Sequence, residues 1–276
     1  FTGSFSTALT VRVAGIPRRL GYDRDARGLL LTRRLRPPRR PDGGWAVVPA
    51  VSYYWHAASV LLDPAAPDDL PAPALERLDR VETGLPPGAR MILHVSDADR
   101  AEGERVRASA GVGPDAPVAI LNPGGNNPAK RWPADRYAAL AEHLSRAHGL
   151  RVLVNGSPGE ADLCRQIAGA APGAVALPDH AHTIPALKAL CGDARVMVTN
   201  DTGPRHIAAA LSCPLVSLFG PTDPRWTTIP APGNEWILVA DPTLPPSEVA
   251  NDHPGRCAID RIPLERVVGA AEAALG

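Results

Sequence analysis

One segment of the chain places a pair of glycines close to one of only two lysines. Residues 122–133 read NPGGNNPAKRWP, so Lys130 follows the glycines and Pro133 opens the next element. Glycines let backbone amides approach an anion closely, a helix N-terminus adds partial positive charge, and Lys130 adds a full one. The segment predicts a diphosphate site, although it lacks the G-x-x-x-x-G-K-[ST] pattern of a P-loop. A tight turn carrying a surface lysine is the alternative that spacing alone leaves open.

A second segment, GSPGE at 156–160, ends in a carboxylate. Glu160 would stand in the first turn of a helix, where a negative charge interacts favourably with the helix dipole. That effect alone would explain the residue. The functional alternative is a carboxylate that accepts hydrogen bonds from the hydroxyls of a ribose.

A third segment, NDTGPRH at 200–206, is dense in polar side chains. Asp201 and Thr202 stand just before a predicted helix whose first amides have no partner within the helix, and Pro204 suits its first turn. Capping explains one polar residue at such a place but not this many together, so the segment indicates binding. FGPTD at 219–223 supplies a fourth loop of the same kind.

The elements that must position these segments alternate between strand and helix patterns. Such alternation predicts a parallel sheet covered by helices on both faces, and ligands of such sheets bind beyond the carboxyl ends of the strands. All four segments follow predicted strands. The predicted strands are 118–122, 152–155, 196–199 and 215–219, and the predicted helices are 97–110, 133–148, 159–168, 183–190, 204–211 and 263–275.

A turn-rich linker, GVGPDAP at 111–117, separates two parts of the chain. We place the domain boundary there, which gives domains at 1–112 and 113–276. Residues 1–60 carry a net charge of +7, and the remainder carries −7. This basic part is either a solvated surface or a face directed at an anionic partner.

Composition excludes several classes of protein. Basic and acidic residues number 29 each, which argues against a dedicated nucleic-acid binder. The four cysteines form no C-x-x-C pair, so neither a zinc pattern nor a disulfide framework is present and a reducing cytoplasm is expected. No run of apolar residues is long enough to span a membrane.

Taken in order, these segments resemble glycosyltransferase family 9, the ADP-heptose:lipopolysaccharide heptosyltransferases. The likeness covers most of the chain and is greatest to the second heptosyltransferase of inner-core synthesis. Any one motif is weak, but the ordered set is specific. It comprises NPGG at 122–125, AKRWP at 129–133, the three segments at 156–160, 200–206 and 219–223, and upstream SFSTAL at 4–9 and AGIPRRLGY at 14–22.

The resemblance implies an α/β protein of GT-B architecture, with two Rossmann-like domains. The N-terminal domain would bind the acceptor and the C-terminal domain the nucleotide sugar. The implied reaction is an inverting transfer of heptose from ADP-heptose to the lipopolysaccharide inner core. No cofactor is expected, and no metal, because no carboxylate cluster calls for Mg²⁺. The implied location is the cytoplasm, with peripheral contact at the inner face of the membrane.

The resemblance also assigns roles to residues. Lys130 and Asp201 are the expected catalytic residues, Glu160 holds the ribose, and the segment 181–184 flanks the adenine. Ser4, Ser6 and Arg18 belong to the acceptor side. The expected donor-binding residues are Asn122, Gly124, Gly125, Lys130, Trp132, Gly156, Glu160, Thr183, Asp201, Thr202, Gly203, His206, Gly220 and Thr222.

Two departures from the family pattern leave alternatives open. The family begins with a strand and a Gly-Asp loop that carries the general base, so we expect the base ahead of Phe1 and an incomplete N-terminal domain. Only Cys257 remains near a region, 241–256, that is often cysteine-rich in the second heptosyltransferases. One alternative is a related transferase that uses another nucleotide sugar or a protein acceptor. Another is an ADP-binding module without activity.

Overall fold

The computed structural model describes residues 4–73, 83–230 and 234–276. The chain forms two compact units. The first comprises Phe1–Pro87 with Arg225–Thr228, and the second comprises Gly88–Pro224 with Ile229–Gly276. The second unit thus begins before residue 112, where the sequence places the domain boundary, because the helix at 97–109 packs on a later helix of the second unit. No helix within the described residues is long and apolar enough to cross a membrane.

The first unit is small. Its two short strands pair in parallel, with Leu20 opposite Arg33. A small apolar core, which includes Leu35 and Val60, lies between this sheet and the second helix. The elements are α1 (Phe5–Val13), β1 (Leu20–Tyr22), β2 (Arg33–Leu35) and α2 (Ala50–Leu62).

The second unit is a six-stranded parallel sheet with helices on both faces. The strand patterns predicted from sequence are confirmed within one or two residues at each end. The helices are α3 (Asp97–Ser109), α4 (Ala134–His148), α5 (Ala161–Gly169), α6 (Ile184–Asp193), α7 (Gly203–Ala210) and α8 (Leu264–Leu275), and the strands are β3 (Val118–Asn122), β4 (Arg151–Val154), β5 (Val175–Ala176), β6 (Val196–Asn200), β7 (Leu215–Phe219) and β8 (Glu235–Val239). Two strands are not predicted from the sequence, namely β5, which has two residues, and the edge strand β8.

Alternation along the strands divides the core between the two faces of the sheet. Ala119 and Leu121 of β3 pack with α4, α5 and α8, whereas Val118 and Ile120 pack with α3, α6 and α7. Every residue of β3, β6 and β7 is buried. Both faces are covered, so the central strands are apolar runs rather than alternating ones.

Local signals fix where helices begin and end. Thr183 caps α6 by accepting a hydrogen bond from the amide of Ala186. Helix α4 follows Pro133 and ends at Gly149, whose φ of 65° is the left-handed conformation that suits glycine. Tyr137 and Leu144, which lie on one face of α4, are fully buried.

Strand order then determines where loops converge. The order is β5-β4-β3-β6-β7-β8, so the chain builds the sheet outward from β3 in one direction and then from β6 in the other. Ligands of open α/β sheets bind at such a switch point, beyond the carboxyl ends of the two strands. The loops after β3 and β6 therefore lie at the expected position for a site.

Candidate functional site

The loops after β3 and β6 are joined by a fully bonded asparagine. The Nδ2 of Asn122 donates to Thr199 Oγ1 at 3.0 Å and to Thr202 Oγ1 at 2.9 Å. Its Oδ1 accepts from Asn155 Nδ2 at 2.6 Å, which adds the end of β4 to the same network. Asn122 is only 3% exposed. It therefore holds three loops together rather than offering its side chain to a ligand.

Asn200 makes a second connection at the same edge. Its Nδ2 donates to the carbonyl oxygens of Pro123 and Gly124 at 2.7 and 3.2 Å. The hydroxyl of the buried Tyr137 donates to Asn200 Oδ1 at 3.1 Å. The backbone of the glycine loop is thus held from the neighbouring strand.

Trp132 lies in the core rather than at the edge. It is 2% exposed, its ring packs edge-on against Tyr137, and its Nε1 donates to the carbonyl of Ile262 at 2.9 Å. This side chain does not fit a contact with the donor. It anchors the loop that carries Lys130.

Glu160 clamps two loops to each other. Its Oε2 accepts from the amide and the hydroxyl of Ser157, both at 2.8 Å, and its Oε1 accepts from the amide of Gly125 at 2.8 Å. Burial alone would raise the pKa of Glu160, but the hydrogen bonds from Ser157 and Gly125 outweigh it and hold the pKa below its usual value. Gly124 is needed here because a Cβ at that position would overlap the carboxylate.

Lys130 and Asp201 meet across the switch point. The Lys130 Nζ donates to Asp201 Oδ2 at 3.2 Å. The lysine side chain is 27% exposed, whereas that of Asp201 is 6% exposed. The two expected catalytic residues, 71 positions apart, are therefore one ion pair with a solvent-accessible cation.

Arg205 extends this network inward, because it pairs with both Asp201 and Glu235. The Nη1 of Arg205 lies 3.5 Å from Asp201 Oδ1, and its Nε lies 2.7 Å from Glu235 Oε1. The arginine side chain is fully buried, and its guanidinium stands over the Phe219 ring at 4.9 Å. Four charged side chains of alternating sign thus form a series from Lys130 at the surface to Glu235, the first residue of β8.

The N-terminus of α7 opens at the same place. Thr202 is its N-cap residue, but its hydroxyl bonds with Asn122 and Asn200, so it makes no side-chain bond to the helix amides. Gly203 is exposed and His206 is half-buried. Burial, together with the positive charge of Arg205, lowers the pKa of His206. The imidazole of His206 is therefore neutral at neutral pH.

The remaining expected donor residues fall into two groups. Gly156 and Gly220 allow close packing, since a Cβ would lie 2.5 Å from Cys164 Sγ in the first case and 2.6 Å from Ile259 Cβ in the second. Thr222 is half-buried in the loop after β7. Thr183 contacts Glu102 of α3 at 3.3 Å and is not bonded to the loops described above.

The expected acceptor-side residues lie in the first unit. A cavity of about 670 Å³ is lined there by Ser4 and Arg18, and its wall is rich in arginine and tyrosine. Ser4 is also the N-cap of α1, and its hydroxyl lies 2.9 Å from that of Ser6. Ser6 does not line the cavity.

Comparison with known proteins places this arrangement in a family. The model of glycosyltransferase family 9 (heptosyltransferase) matches residues 1–248. The chain belongs to this family. Among solved structures, the Escherichia coli ADP-heptose lipopolysaccharide heptosyltransferase II is similar, with 26% identity and a TM-score of 0.68 over 99% of this chain and 74% of that one. A family 9 member from Veillonella parvula has a TM-score of 0.69 at 19% identity, over 99% and 71%. The expected α/β fold of GT-B architecture is confirmed.

Curated family members align over a shorter stretch. Lipooligosaccharide heptosyltransferase 2 of Haemophilus influenzae is 37% identical over 119 residues, which cover 41% of this chain and 34% of that protein. Lipopolysaccharide heptosyltransferase 2 of E. coli K12 is 36% identical over 115 residues, or 36% and 30%. The matches span about a third of the length of these curated relatives.

Sequence reasoning missed several residues of the site. Asn155 follows β4 directly, as the polar residues of the other loops follow their strands, so its position was a usable signal. Arg205 lies within the segment at 200–206, but the sequence assigns it no role of its own. Nothing in the sequence pointed to Glu235, because its partner Arg205 is 30 positions away and β8 was not predicted.

Proposed function

We propose that the protein is an inverting glycosyltransferase that moves heptose from ADP-heptose to the lipopolysaccharide inner core. The observation that carries the proposal is the Lys130–Asp201 pair at the switch point, in a chain of the heptosyltransferase family. The similar solved proteins include an ADP-heptose heptosyltransferase and the E. coli heptosyltransferase WaaC with ADP.

The loops after β3 and β6, which we assign to the donor, would stabilise the leaving diphosphate. In an inverting displacement the acceptor hydroxyl attacks the anomeric carbon and gives its proton to a general base, while the bond from that carbon to the diphosphate oxygen breaks and ADP leaves with the electron pair. Lys130 and the amides at the start of α7 can stabilise this growing negative charge. Asp201 orients the ammonium of Lys130, because it lies buried beneath it. Glu160 would hold the ribose with the oxygen lone pairs that its protein partners leave free.

The first unit suits an anionic acceptor. Residues 1–60 carry a net charge of +7, and arginines line the cavity that Ser4 and Arg18 share. Phosphorylated or acidic sugars are matched by such a surface. An acceptor of this kind at the membrane would place the enzyme in the cytoplasm, at the inner face of the membrane.

The first test is calorimetric titration of ADP, UDP and GDP, with Lys130→Ala beside the unaltered protein. We expect ADP to bind most tightly, and the substitution to weaken it by about 1.5–3 kcal/mol, the cost of a lost hydrogen bond to a charged group. Lys188→Ala is the matched control, since Lys188 is the chain's other lysine and pairs with Asp99 instead. Its ADP affinity should be unchanged.

Other outcomes would point elsewhere. Preference for UDP or GDP would contradict the donor assignment and favour a related transferase. ADP binding without release of ADP from ADP-heptose, when a truncated lipopolysaccharide core is supplied, would favour a binding module. Equal loss in both lysine variants would mean that the effect is general and not specific to Lys130.

A further inference from the structure

Two imidazoles and a carboxylate converge on the surface of the second unit, between α4 and α8. The Nε2 of His143 lies 3.0 Å from Glu272 Oε1, and the Nε2 of His148 lies 3.9 Å from the same oxygen. The two histidine rings are 5.8 Å apart between centroids. One ligand atom from each residue thus lies within 4.8 Å of the other two.

The backbone that carries these groups is held by the core. Leu144, beside His143, and Ala271, beside Glu272, are fully buried in the same apolar cluster. The side chains of His143 and His148 nevertheless remain about one-third exposed, at 33% and 32%. Packed helices therefore present the three groups together while leaving them open to solvent.

We propose that His143, His148 and Glu272 form a zinc site, with water in the fourth position of a tetrahedron. Imidazole nitrogen and carboxylate oxygen are ordinary zinc ligands, whereas Mg²⁺ and Ca²⁺ favour sets made of oxygen alone. Ligand atoms about 2 Å from a tetrahedral ion lie about 3.3 Å from each other. Small side-chain rotations bring the three atoms to that spacing, and the ion replaces the hydrogen bond between His143 and Glu272.

The zinc site is separate from the loops that we propose to bind the donor. His143 and His148 are 9 and 14 residues beyond Ala134, the first residue of α4, which places them about 14 and 21 Å along the helix axis. The loop that carries Lys130 joins the opposite end of this helix. An ion here would fasten α8 to α4, and so stabilise the folded chain without entering the transfer reaction.

The cysteines do not compete for the ion. All four are buried, and burial raises the pKa of the Cys164 and Cys213 thiols to about 12. Zinc requires the thiolate, which is scarce at neutral pH for groups of this kind. Zinc bound by the folded protein is therefore expected at His143, His148 and Glu272.

The test is a calorimetric titration of zinc into untagged, metal-free protein, together with melting curves at several zinc concentrations. We expect one ion per chain and a melting temperature that rises with zinc concentration but not with Mg²⁺. His143→Ala and His148→Ala should each weaken zinc binding by at least about tenfold, since even indirect supports of a metal site cost that much. His180→Ala is the matched control, because His180 is bonded to Ser109 outside the cluster. It should bind zinc as the unaltered protein does.

Two results would overturn the zinc site. One is the absence of zinc binding to the folded, metal-free protein. The other is binding that both histidine substitutions leave unchanged. Melting curves without zinc show whether each variant is folded, so a loss of affinity in a folded variant is assigned to the lost ligand. ADP binding is not used as a readout, and the zinc result therefore stands apart from the proposed transferase activity.

Discussion

At the scale of single residues, the polar loops after β3, β4 and β6 are organised by carboxylates that each bind groups from two places. Glu160 closes its own helical turn and at the same time binds the amide of Gly125. Asp201 receives Lys130 from one loop and Arg205 from its own helix. Because each carboxylate has partners in fixed positions, the cation at the surface is held before any ligand arrives, which is what electrostatic stabilisation of a leaving group requires.

The buried Arg205–Glu235 pair gives a prediction at this scale. Arg205→Met removes the partner of a carboxylate whose side chain is 2% exposed, so we expect a loss of about 3–5 kcal/mol in the free energy of unfolding. Glu235→Gln should cost less, because an amide still accepts a hydrogen bond from Arg205. Urea denaturation measures both losses.

The double variant, Arg205→Met with Glu235→Gln, provides the control. If Arg205 and Glu235 interact directly, the double variant should lose less free energy of unfolding than the two single variants lose together, because it leaves no unpaired buried charge. Strict additivity of the two losses would contradict a direct interaction between Arg205 and Glu235.

At the scale of elements, one polar contact joins α3 to α6 beside their apolar packing. Ser96 and Asp99 form a capping box at the start of α3. Asp99 Oδ2 also accepts from Lys188 Nζ of α6 at 2.7 Å. The N-terminus of α3 is thereby also a point of attachment between two helices.

The Asp99 contact predicts a pH dependence of stability. Hydrogen bonds from Lys188 and then Ser96 hold the pKa of Asp99 at about 2, whereas an unfolded aspartate titrates near about 3.9. A lowered pKa in the folded state adds stability above about pH 4, and this stability is lost as the pH falls toward about 2. Asp99→Asn should therefore melt at a lower temperature than the unaltered protein at pH 7, and the gap should narrow below about pH 4.

The matched variant is Asp97→Asn, in the same first turn of α3. Its side chain is fully exposed, with Arg100 at 3.8 Å as its ion-pair partner. Melting temperatures recorded from pH 7 to pH 2 should show a smaller gap for this variant. A gap for Asp99→Asn that stays constant over the whole range would show that its carboxylate charge is not the cause.

At the scale of the whole molecule, the loops after β3, β4 and β6 belong to one of the two compact units. Every bond described above between the loops that follow β3, β4 and β6 lies between residues of the second unit. That unit also contains two apolar clusters, one on each face of its sheet, and so has a core of its own. The proposed nucleotide site therefore needs no residue of the first unit to hold its loops in place.

This separation predicts that a fragment of residues 88–276 folds and binds ADP with the affinity of the full chain. The fragment retains the loops that we propose to bind the nucleotide and both faces of the sheet. Cooperative thermal unfolding followed by ADP titration tests the two expectations in turn. A folded fragment with much weaker ADP binding would show that the first unit contributes to the nucleotide site.

The elements of the second unit could be predicted largely from local patterns. Strands such as β3 are continuous apolar runs, α4 has its inward residues at helical spacing, and Thr183 and Ser96 mark helix starts. These signals act over a few residues, so sequence carries them directly. Strand β8 is partly exposed along its length and β5 is two residues long, so neither gives a strong pattern.

The sequence by itself determined which polar loops follow the strands, their order along the chain and the family to which the chain belongs. Only the tertiary structure decided what each side chain does there. Trp132 became a core anchor and Asn122 a connector, because burial and bonding depend on neighbours from distant elements. The Lys130–Asp201 pair, the Arg205–Glu235 pair and the histidine cluster on α4 and α8 join residues 30 to 129 positions apart. Such partners are set by strand order and helix packing, and no local pattern in the chain encodes them.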